Sequence, residues 1–218
     1  MNIVIQTELI FSLIIIASLC LLFIYFGHKV KKADPTAKPK GLVLVLETLV
    51  KMVYDYIKSI MPEKFEKNYY PYFAMLFIYL VVANLSGLLA FTAPTSNFSI
   101  TLAITLITFT LIQINALKTK GGWTFIKDII WPPTNILSFV SPLISLSMRI
   151  FGNILSGTIL MSLVYNFTGY LSGFFAPIDI FGPILAPVLH MYFDVFAGCV
   201  QTLVFVTLSS ILIAMEAE

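Results

Sequence analysis

Five long apolar segments divide the chain, and each is long enough to cross a membrane as a helix. They occupy residues 9–27, 71–91, 100–117, 135–165 and 180–215. The hydrocarbon core of a bilayer is about 30 Å thick and needs about 20 apolar residues in helical form. The pattern therefore predicts an all-α membrane protein with five transmembrane helices in one domain over residues 1–218. At about 1.5 Å per residue the fourth segment would be roughly 46 Å long, so we expect the last two helices to tilt steeply or to curve around a partner.

The segment 42–61 has a different pattern, because charged residues return along one side of it. Glu47, Lys51, Asp55 and Lys58 follow one another at intervals of four, four and three residues, which places them on one face of a helix. This pattern predicts an amphipathic helix lying along the cytoplasmic surface of the membrane. A soluble linker helix is the alternative interpretation.

Composition agrees with a membrane protein and excludes several other classes. Of the 218 residues, 59% are hydrophobic and 11% are charged, whereas soluble domains have about 25% charged residues. The net charge of +2 is too small to indicate nucleic-acid binding. Cys20 and Cys199 both lie in apolar segments, so we expect no disulfide framework. We also expect no cofactor, no metal site and no catalytic centre.

The lysines indicate how the chain is oriented. They cluster after the first apolar segment, before the second and after the third, and these positions fall on one side of a five-helix arrangement. By the positive-inside rule that side is the cytoplasm, which predicts an N-terminus outside and a cytoplasmic C-terminus. No lysine or arginine precedes the first segment, so we expect it to be retained as a membrane helix. Chain length and the lack of a transit peptide favour a bacterial plasma membrane.

Arg149 is the only arginine in the chain, and no other charge lies between Asn135 and Tyr165. A guanidinium keeps its proton at any physiological pH, so it cannot escape an apolar site by becoming neutral. Insertion scales give a cost of roughly 2.5–3.5 kcal/mol for an arginine at the centre of a membrane helix. Arg149 is therefore a functional residue by default.

Polar residues form a stripe on each of the last two apolar segments. On the fourth segment the stripe consists of Ser145, Arg149, Asn153 and Ser156. On the fifth it consists of His190, Asp194, Gly198 and Gln201. In hydrocarbon such stripes face each other, a cavity or a protein partner, and titratable groups among them predict an ion path. Asn84 on the second segment would extend this path. The alternative is a structural Arg149–Asp194 ion pair.

The stripe on the fourth segment carries a resemblance to a known family. Residues 145–157 read SLSMRIFGNILSG, which resembles the S-L-x-x-R-x-x-x-N-x-x-x-G motif of subunit a of F-type ATP synthases. Asp194 lies seven residues before Gln201, as a polar residue precedes a glutamine on that family's last helix. The resemblance extends from about Gly41 to the end of the chain.

The resemblance implies a membrane subunit that conducts protons or Na⁺ and does not itself make ATP. Two offset half-channels would carry ions to and from carboxylates on a ring of c subunits. Arg149 would face that ring, and Asn153, Asp194 and Gln201 would line the path. The implied partners are the c-ring of proteolipid subunits, the peripheral-stalk b subunits, the rest of the ATP synthase and the lipid bilayer.

Two departures from the family pattern affect the path. The family usually has glutamate or histidine directly after the last glycine of the motif, where this chain has Thr158. His190, one turn before Asp194, would supply the missing titratable group, and Ser145, Ser156 and Thr158 would line the path. An acid is also common near the start of the long fourth helix, where this chain has Asn135 and Ser138.

Two other classes of protein compete with this interpretation. A self-contained ion channel or secondary transporter would also place polar groups in the membrane, although transporters of that kind often contain inverted repeats, and the five segments show none. An intramembrane hydrolase would need a catalytic motif. The chain lacks H-E-x-x-H, and its nearest match to a serine-hydrolase motif is Asn84-Leu85-Ser86-Gly87.

Overall fold

The structure, a computed structural model, consists of helices packed side by side. It describes residues 6–31, 41–61, 63–89, 93–130, 132, 134–174 and 181–215. The α-helices are α1 Thr7–Lys31, α2 Leu42–Ile60, α3 Glu63–Leu85, α4 Phe98–Lys120, α5 Gly122–Ile130, α6 Thr134–Ser172, α7 Gly182–His190 and α8 Gly198–Met215. Two 3-10 turns, Ser86–Leu89 and Pro94–Ser96, lie between α3 and α4, and a π-helical segment, Met191–Ala197, joins α7 to α8. The described ranges contain no β-strand.

The predicted all-α membrane fold with five membrane helices is confirmed. The helices long and apolar enough to cross a bilayer are Thr7–Lys31, Tyr69–Leu88, Phe98–Lys120, Thr134–Ser172 and Gly182–Met215. Positions 90–91 and 180, which the prediction assigned to the second and fifth segments, lie outside the described residues. The protein is therefore a multi-pass membrane protein.

The core lies where α3 and α8 pack together. Phe73 and Leu80 on α3, and Phe205 and Val206 on α8, are almost fully buried. Ile150 on α6 joins the same apolar cluster. Burying a large apolar side chain contributes roughly 1.5–3 kcal/mol in water, but lipid is as apolar as these side chains, so close packing and hydrogen bonds hold such helices together in a membrane.

Buried amides connect helices that the apolar contacts alone would leave free to slide. Asn115 on α4 donates from Nδ2 to the backbone oxygen of Ile213 on α8, at 3.0 Å. The hydroxyl of Tyr69 on α3 donates to Asn115 Oδ1, at 3.2 Å. One amide therefore fixes the register of three helices.

The amphipathic segment is helical, as expected, and packs against α3 and α8 on one side only. Val53 and Ile57 on α2 are buried. The hydroxyl of Tyr56 on α2 forms a hydrogen bond with the hydroxyl of Thr207 on α8. The four charged side chains that defined the pattern are exposed. Its position along the cytoplasmic membrane surface stays a prediction.

α6 continues further than the sequence pattern predicts. It contains 39 residues and ends at Ser172, whereas the apolar segment that predicted it ended at Tyr165. Asn166 donates from Nδ2 to the backbone oxygen of Ser162, at 2.8 Å, and Thr168 donates to the backbone oxygen of Tyr165. These side chains satisfy their hydrogen bonds on their own helix, so residues typical of turns do not end it. At about 1.5 Å per residue α6 is roughly 58 Å long.

The last helix contains a segment that the sequence pattern did not predict. Residues Met191–Ala197 are π-helical, with Asp194 at their centre. A π turn closes hydrogen bonds over five residues rather than four, so it holds more residues than an α turn. The stripe from His190 to Gln201 was predicted from α-helical geometry, and the π segment rotates Gln201 away from that line.

Candidate functional site

His190 and Asp194 interact directly, as their spacing of four residues predicts. Nδ1 of His190 lies 2.6 Å from Oδ2 of Asp194. The two side chains are 36% and 23% exposed, so water can reach both groups although neither lies on an open surface. An ionised carboxylate can only accept hydrogen bonds, and the proton shared by this pair therefore belongs to Nδ1 whenever Asp194 is charged.

Tyr165 on α6 extends this pair, although the sequence pattern did not predict it to be a site residue. Its hydroxyl lies 2.9 Å from Nε2 of His190. The three side chains thus form a continuous chain of hydrogen bonds that crosses from α6 to the last helix. Tyr165 stands four and eight residues from Met161 and Gly157 on one face of α6. That spacing was the available signal, but tyrosines near helix ends are common in membrane proteins.

A cavity of about 520 Å³ surrounds this chain of three residues, and we call it the His190 cavity. Its polar lining comes from α6, the last helix, the end of α3 and the turn that follows, and consists of Asn84, Ser96, Thr158, Ser162, Tyr165, Asn166, His190 and Asp194. Four of the predicted site residues, namely Asn84, Thr158, His190 and Asp194, therefore line one cavity.

Glycines allow the backbones around the His190 cavity to approach closely. A methyl group at Gly87 would lie 3.5 Å from the Asp194 carboxyl group, and one at Gly157 would lie 3.6 Å from Phe193. A methyl group at Gly198 would lie 3.0 Å from Cβ of Asn84. This is tighter than nearly all contacts of real Cβ atoms, so a side chain at Gly198 would force Asn84 or the backbone to shift by a few tenths of an ångström.

Asn84 borders the cavity, but its hydrogen bonds connect helices. Its Nδ2 donates to the backbone oxygen of Gly198 at 3.1 Å and to Oγ1 of Thr202 at 3.2 Å. Its Oδ1 accepts from the hydroxyl of Thr95 at 3.1 Å. Both amide hydrogens are therefore used within the protein, which is what a structural interhelical amide requires.

Arg149 lies outside the His190 cavity and is exposed. Within the described part of the chain its guanidinium has no hydrogen bond or ion pair. The alternative interpretation, a structural Arg149–Asp194 ion pair, is wrong, because the carboxyl group of Asp194 pairs with His190 instead.

The register of the two long helices explains this separation. Gly157 lies against Phe193, and Tyr165 bonds to His190, in an antiparallel arrangement. Arg149, eight residues before Gly157, is therefore near the level of Gln201, eight residues after Phe193. Asp194 directly follows Phe193, so its level and that of Arg149 differ by about seven helical residues, or roughly 10 Å along the helix axis, and their side chains form no ion pair in the described structure.

The other predicted residues near Arg149 have mixed surroundings. The amide nitrogens Nδ2 of Asn153 and Nε2 of Gln201 are buried, and neither has a hydrogen-bond partner in the described structure. Ser156 donates to the backbone oxygen of Asn153 at 2.9 Å, and Thr158 donates to that of Leu155 at 2.9 Å. Ser145 is exposed on the same helix. A buried amide nitrogen without a partner is costly, so these two side chains differ from Asn84, whose amide is hydrogen-bonded within the protein.

A second cavity, of about 230 Å³, lies beside the lysine-bearing end of α4, and we call it the Asn135 cavity. Its polar lining residues are Gln113, Lys120, Asn135 and Ser138. Leu212 on α8 also lines this cavity. Earlier on the same helix, the hydroxyl groups of Ser209 and Ser210 are fully buried and have no partner in the described residues. In the sequence, Asn135 and Ser138 stand out only as departures from a family pattern, whereas in the structure both line one cavity.

Comparison with known proteins gives a consistent result. A family model described as ATP synthase A chain matches residues 9–214. The chain is 34% identical to ATP synthase subunit a of Mycoplasma genitalium, over 93% of this chain and 77% of that protein. It is 35% identical to the Mycoplasma pneumoniae protein of the same name, over 93% of this chain and 76% of that one. It is 31% identical to ATP synthase subunit a of Streptococcus gordonii, over 86% of this chain and 81% of that protein.

Proposed function

The chain belongs to the ATP synthase A chain family, and from that premise we propose that it conducts ions to and from a rotating ring of c subunits. The observation that carries the proposal is the guanidinium of Arg149, which is exposed and has no partner among the described residues. A permanent charge in an apolar helix needs a compensating partner. A carboxylate on a neighbouring rotor is such a partner, and it would be present only in the assembled complex.

The two cavities would be the two half-channels of this path. The His190 cavity, with Asp194 as its acid, would open to the outside, and the Asn135 cavity would open to the cytoplasm. Among the residues that the structure describes, they share no lining residue. Arg149 belongs to neither lining, and the positive charge between them would stop protons or Na⁺ from passing directly from one to the other.

Ion transfer then follows from charge at each step. An ion entering from outside through the His190 cavity neutralises a c-subunit carboxylate, which can then move into the lipid. A carboxylate that has released its ion into the Asn135 cavity is negative, and Arg149 attracts it back into the subunit interface. Each charge crossing the membrane is driven by about 2.3 kcal/mol per 100 mV. The resulting rotation supplies torque to the rest of the ATP synthase, and that part of the complex makes the ATP.

The proposed arrangement in the cell follows from the lysine pattern and from the length of the last two helices. The N-terminus would lie outside and the C-terminus in the cytoplasm of a bacterial plasma membrane. The long α6 and the last helix would curve along the c-ring, and the peripheral-stalk b subunits would hold the chain against rotation. α2 would lie on the cytoplasmic surface.

Replacing Arg149 with alanine tests this function. We expect Arg149→Ala to abolish ATP-driven ion uptake by inverted membrane vesicles while the complex still assembles, since the side chain contacts no described residue that it would leave unpaired. Proton uptake is followed with a pH-sensitive dye and Na⁺ uptake with a radioactive tracer. Met148→Ala, at the exposed neighbouring position, is the control. Normal uptake by Arg149→Ala would overturn the proposal.

A second measurement separates this function from a self-contained channel or transporter. The purified chain alone, reconstituted into liposomes, should carry no ion current, because the proposed path is completed by a c-subunit carboxylate. Steady current from the purified chain without a c-ring would contradict the proposal and support the alternative.

A further inference from the structure

Three side chains from two helices form one chain of hydrogen bonds in the His190 cavity. The Tyr165 hydroxyl lies 2.9 Å from Nε2 of His190, and Nδ1 of the same ring lies 2.6 Å from Asp194. Both nitrogens of the imidazole therefore have a named partner. A histidine held at both nitrogens has a fixed orientation, and the partners decide which nitrogen carries the proton.

The roles of donor and acceptor in this chain follow from the chemistry of its ends. An ionised Asp194 accepts only, so Nδ1 carries the hydrogen that lies between the two groups. Nε2 of the neutral ring is then an acceptor, and the Tyr165 hydroxyl donates to it. Once the ring takes a second proton, Nε2 becomes a donor. The Tyr165 hydroxyl hydrogen can then rotate away, and the hydroxyl oxygen accepts the hydrogen bond from Nε2.

We propose that Tyr165 is a positioning residue of the outer half-channel, which holds the His190 ring so that Nδ1 faces Asp194 and Nε2 faces the cavity. This inference rests on the proposed function. Tyr165 is 43% exposed and lines the His190 cavity, which is large enough to hold water, so its hydroxyl can bond to the ring while remaining accessible from the cavity. Without it, the ring would be free to rotate away from Asp194, and the carboxyl group would lose its partner for part of the time.

The surroundings of the ring contain few other groups that titrate. Among the described lining residues of the His190 cavity, Tyr165 on α6 and the pair on the last helix are the titratable ones. α3 and the turn after it contribute Asn84 and Gly87, and the turn before α4 contributes Ser96, all uncharged. Arg149 lies outside the lining. The c-subunit carboxylate of the proposed function also titrates, but it is the same in every variant, so a difference in pH dependence between a variant and the parent can be assigned to the three-residue chain.

Tyr165→Phe removes one oxygen atom and keeps the aromatic ring, so packing on α6 is retained. The experiment measures ATP synthesis in inverted vesicles, driven by a potassium diffusion potential, while the pH of the vesicle lumen is varied. Rates are expressed per assembled complex. We expect Tyr165→Phe to lower the rate about threefold to tenfold, the range for one lost hydrogen bond, and to change the dependence on lumen pH. Tyr170→Phe, an exposed tyrosine on the same helix, should match the parent chain.

A second variant tests whether Tyr165 acts through the imidazole. In a His190→Gln background, Tyr165→Phe should cause no further loss, because the group it positions is absent. A dependence on lumen pH identical to that of the parent, or the same proportional loss with and without His190, would overturn the inference. Either outcome would leave the proposed function standing if Arg149→Ala still abolishes ion uptake, so the two failures are distinguishable.

Discussion

Arg149 and Asp194 carry opposite charges on neighbouring helices, yet they have different surroundings. Asp194 shares a short hydrogen bond with His190 inside a cavity, whereas Arg149 is exposed and has no partner within the described residues. Compensation within the chain would hold the arginine in place permanently. With no partner among the described residues, the guanidinium is available to the moving carboxylate that the proposed function requires.

Asp194→Asn tests the acid of the His190 cavity. The amide is nearly isosteric, so we expect normal assembly, but it cannot take up a proton as a carboxylate does. Uptake from outside should slow by about tenfold or more, since a positioned proton-transfer group typically contributes at least that much. Ion-gradient-driven ATP synthesis and the yield of assembled complex are the measurements.

Ser96→Ala, which alters an uncharged residue of the same cavity, is the matched control for that experiment. Activity of Asp194→Asn equal to that of the parent between about pH 6 and 9 would contradict a role for this carboxylate. A proportional loss of assembled complex would instead indicate a structural role.

The helices themselves show which features sequence patterns can predict. The five spans follow from hydrophobic length, which is a property of consecutive residues. The hydrogen bond between His190 and Asp194 follows from the rise and turn of one helix. Tyr165 contacts the same ring from a position 25 residues earlier, and only the packing of α6 against the last helix decides that contact. The sequence pattern does not predict the π segment, because its backbone hydrogen-bond pattern depends on how the helix packs against its neighbours.

The contact between α3 and α8 depends on Gly198. Gly198→Ala would bring a methyl group 3.0 Å from Cβ of Asn84, and backbone or side chains must shift to relieve it. Overpacking of this kind typically costs about 1–3 kcal/mol. We expect the thermal midpoint of the detergent-purified complex to fall, whereas Gly169→Ala, where a methyl group meets nothing within 4 Å, should leave it unchanged. An unaltered midpoint for Gly198→Ala would show that Asn84 moves without cost.

In the molecule as a whole, two separate polar cavities lie at different places along the same pair of long helices. The His190 cavity involves the second half of α6, including Ser162 and Asn166. The Asn135 cavity involves its first residues, from Asn135 to Pro142. α6 is roughly 58 Å long, so its two ends can serve opposite sides of the membrane, and Arg149 lies between the two groups of lining residues.

Thiol labelling from each side of the membrane tests this division directly. The native Cys20 and Cys199 are free thiols, so both are first replaced by serine or alanine. Ser162→Cys should then react with a membrane-impermeant thiol reagent added outside, and Ser138→Cys with the same reagent added to the cytoplasmic face. Both positions are exposed in the isolated chain, but only water-filled space allows the thiolate, which is the reactive form, to exist.

Leu163→Cys, on a strongly exposed apolar position, should resist the reagent from either side because it faces lipid. Reaction of both serine positions from one side would mean that the cavities form a single pathway, and the charge on Arg149 would then have no second compartment to separate.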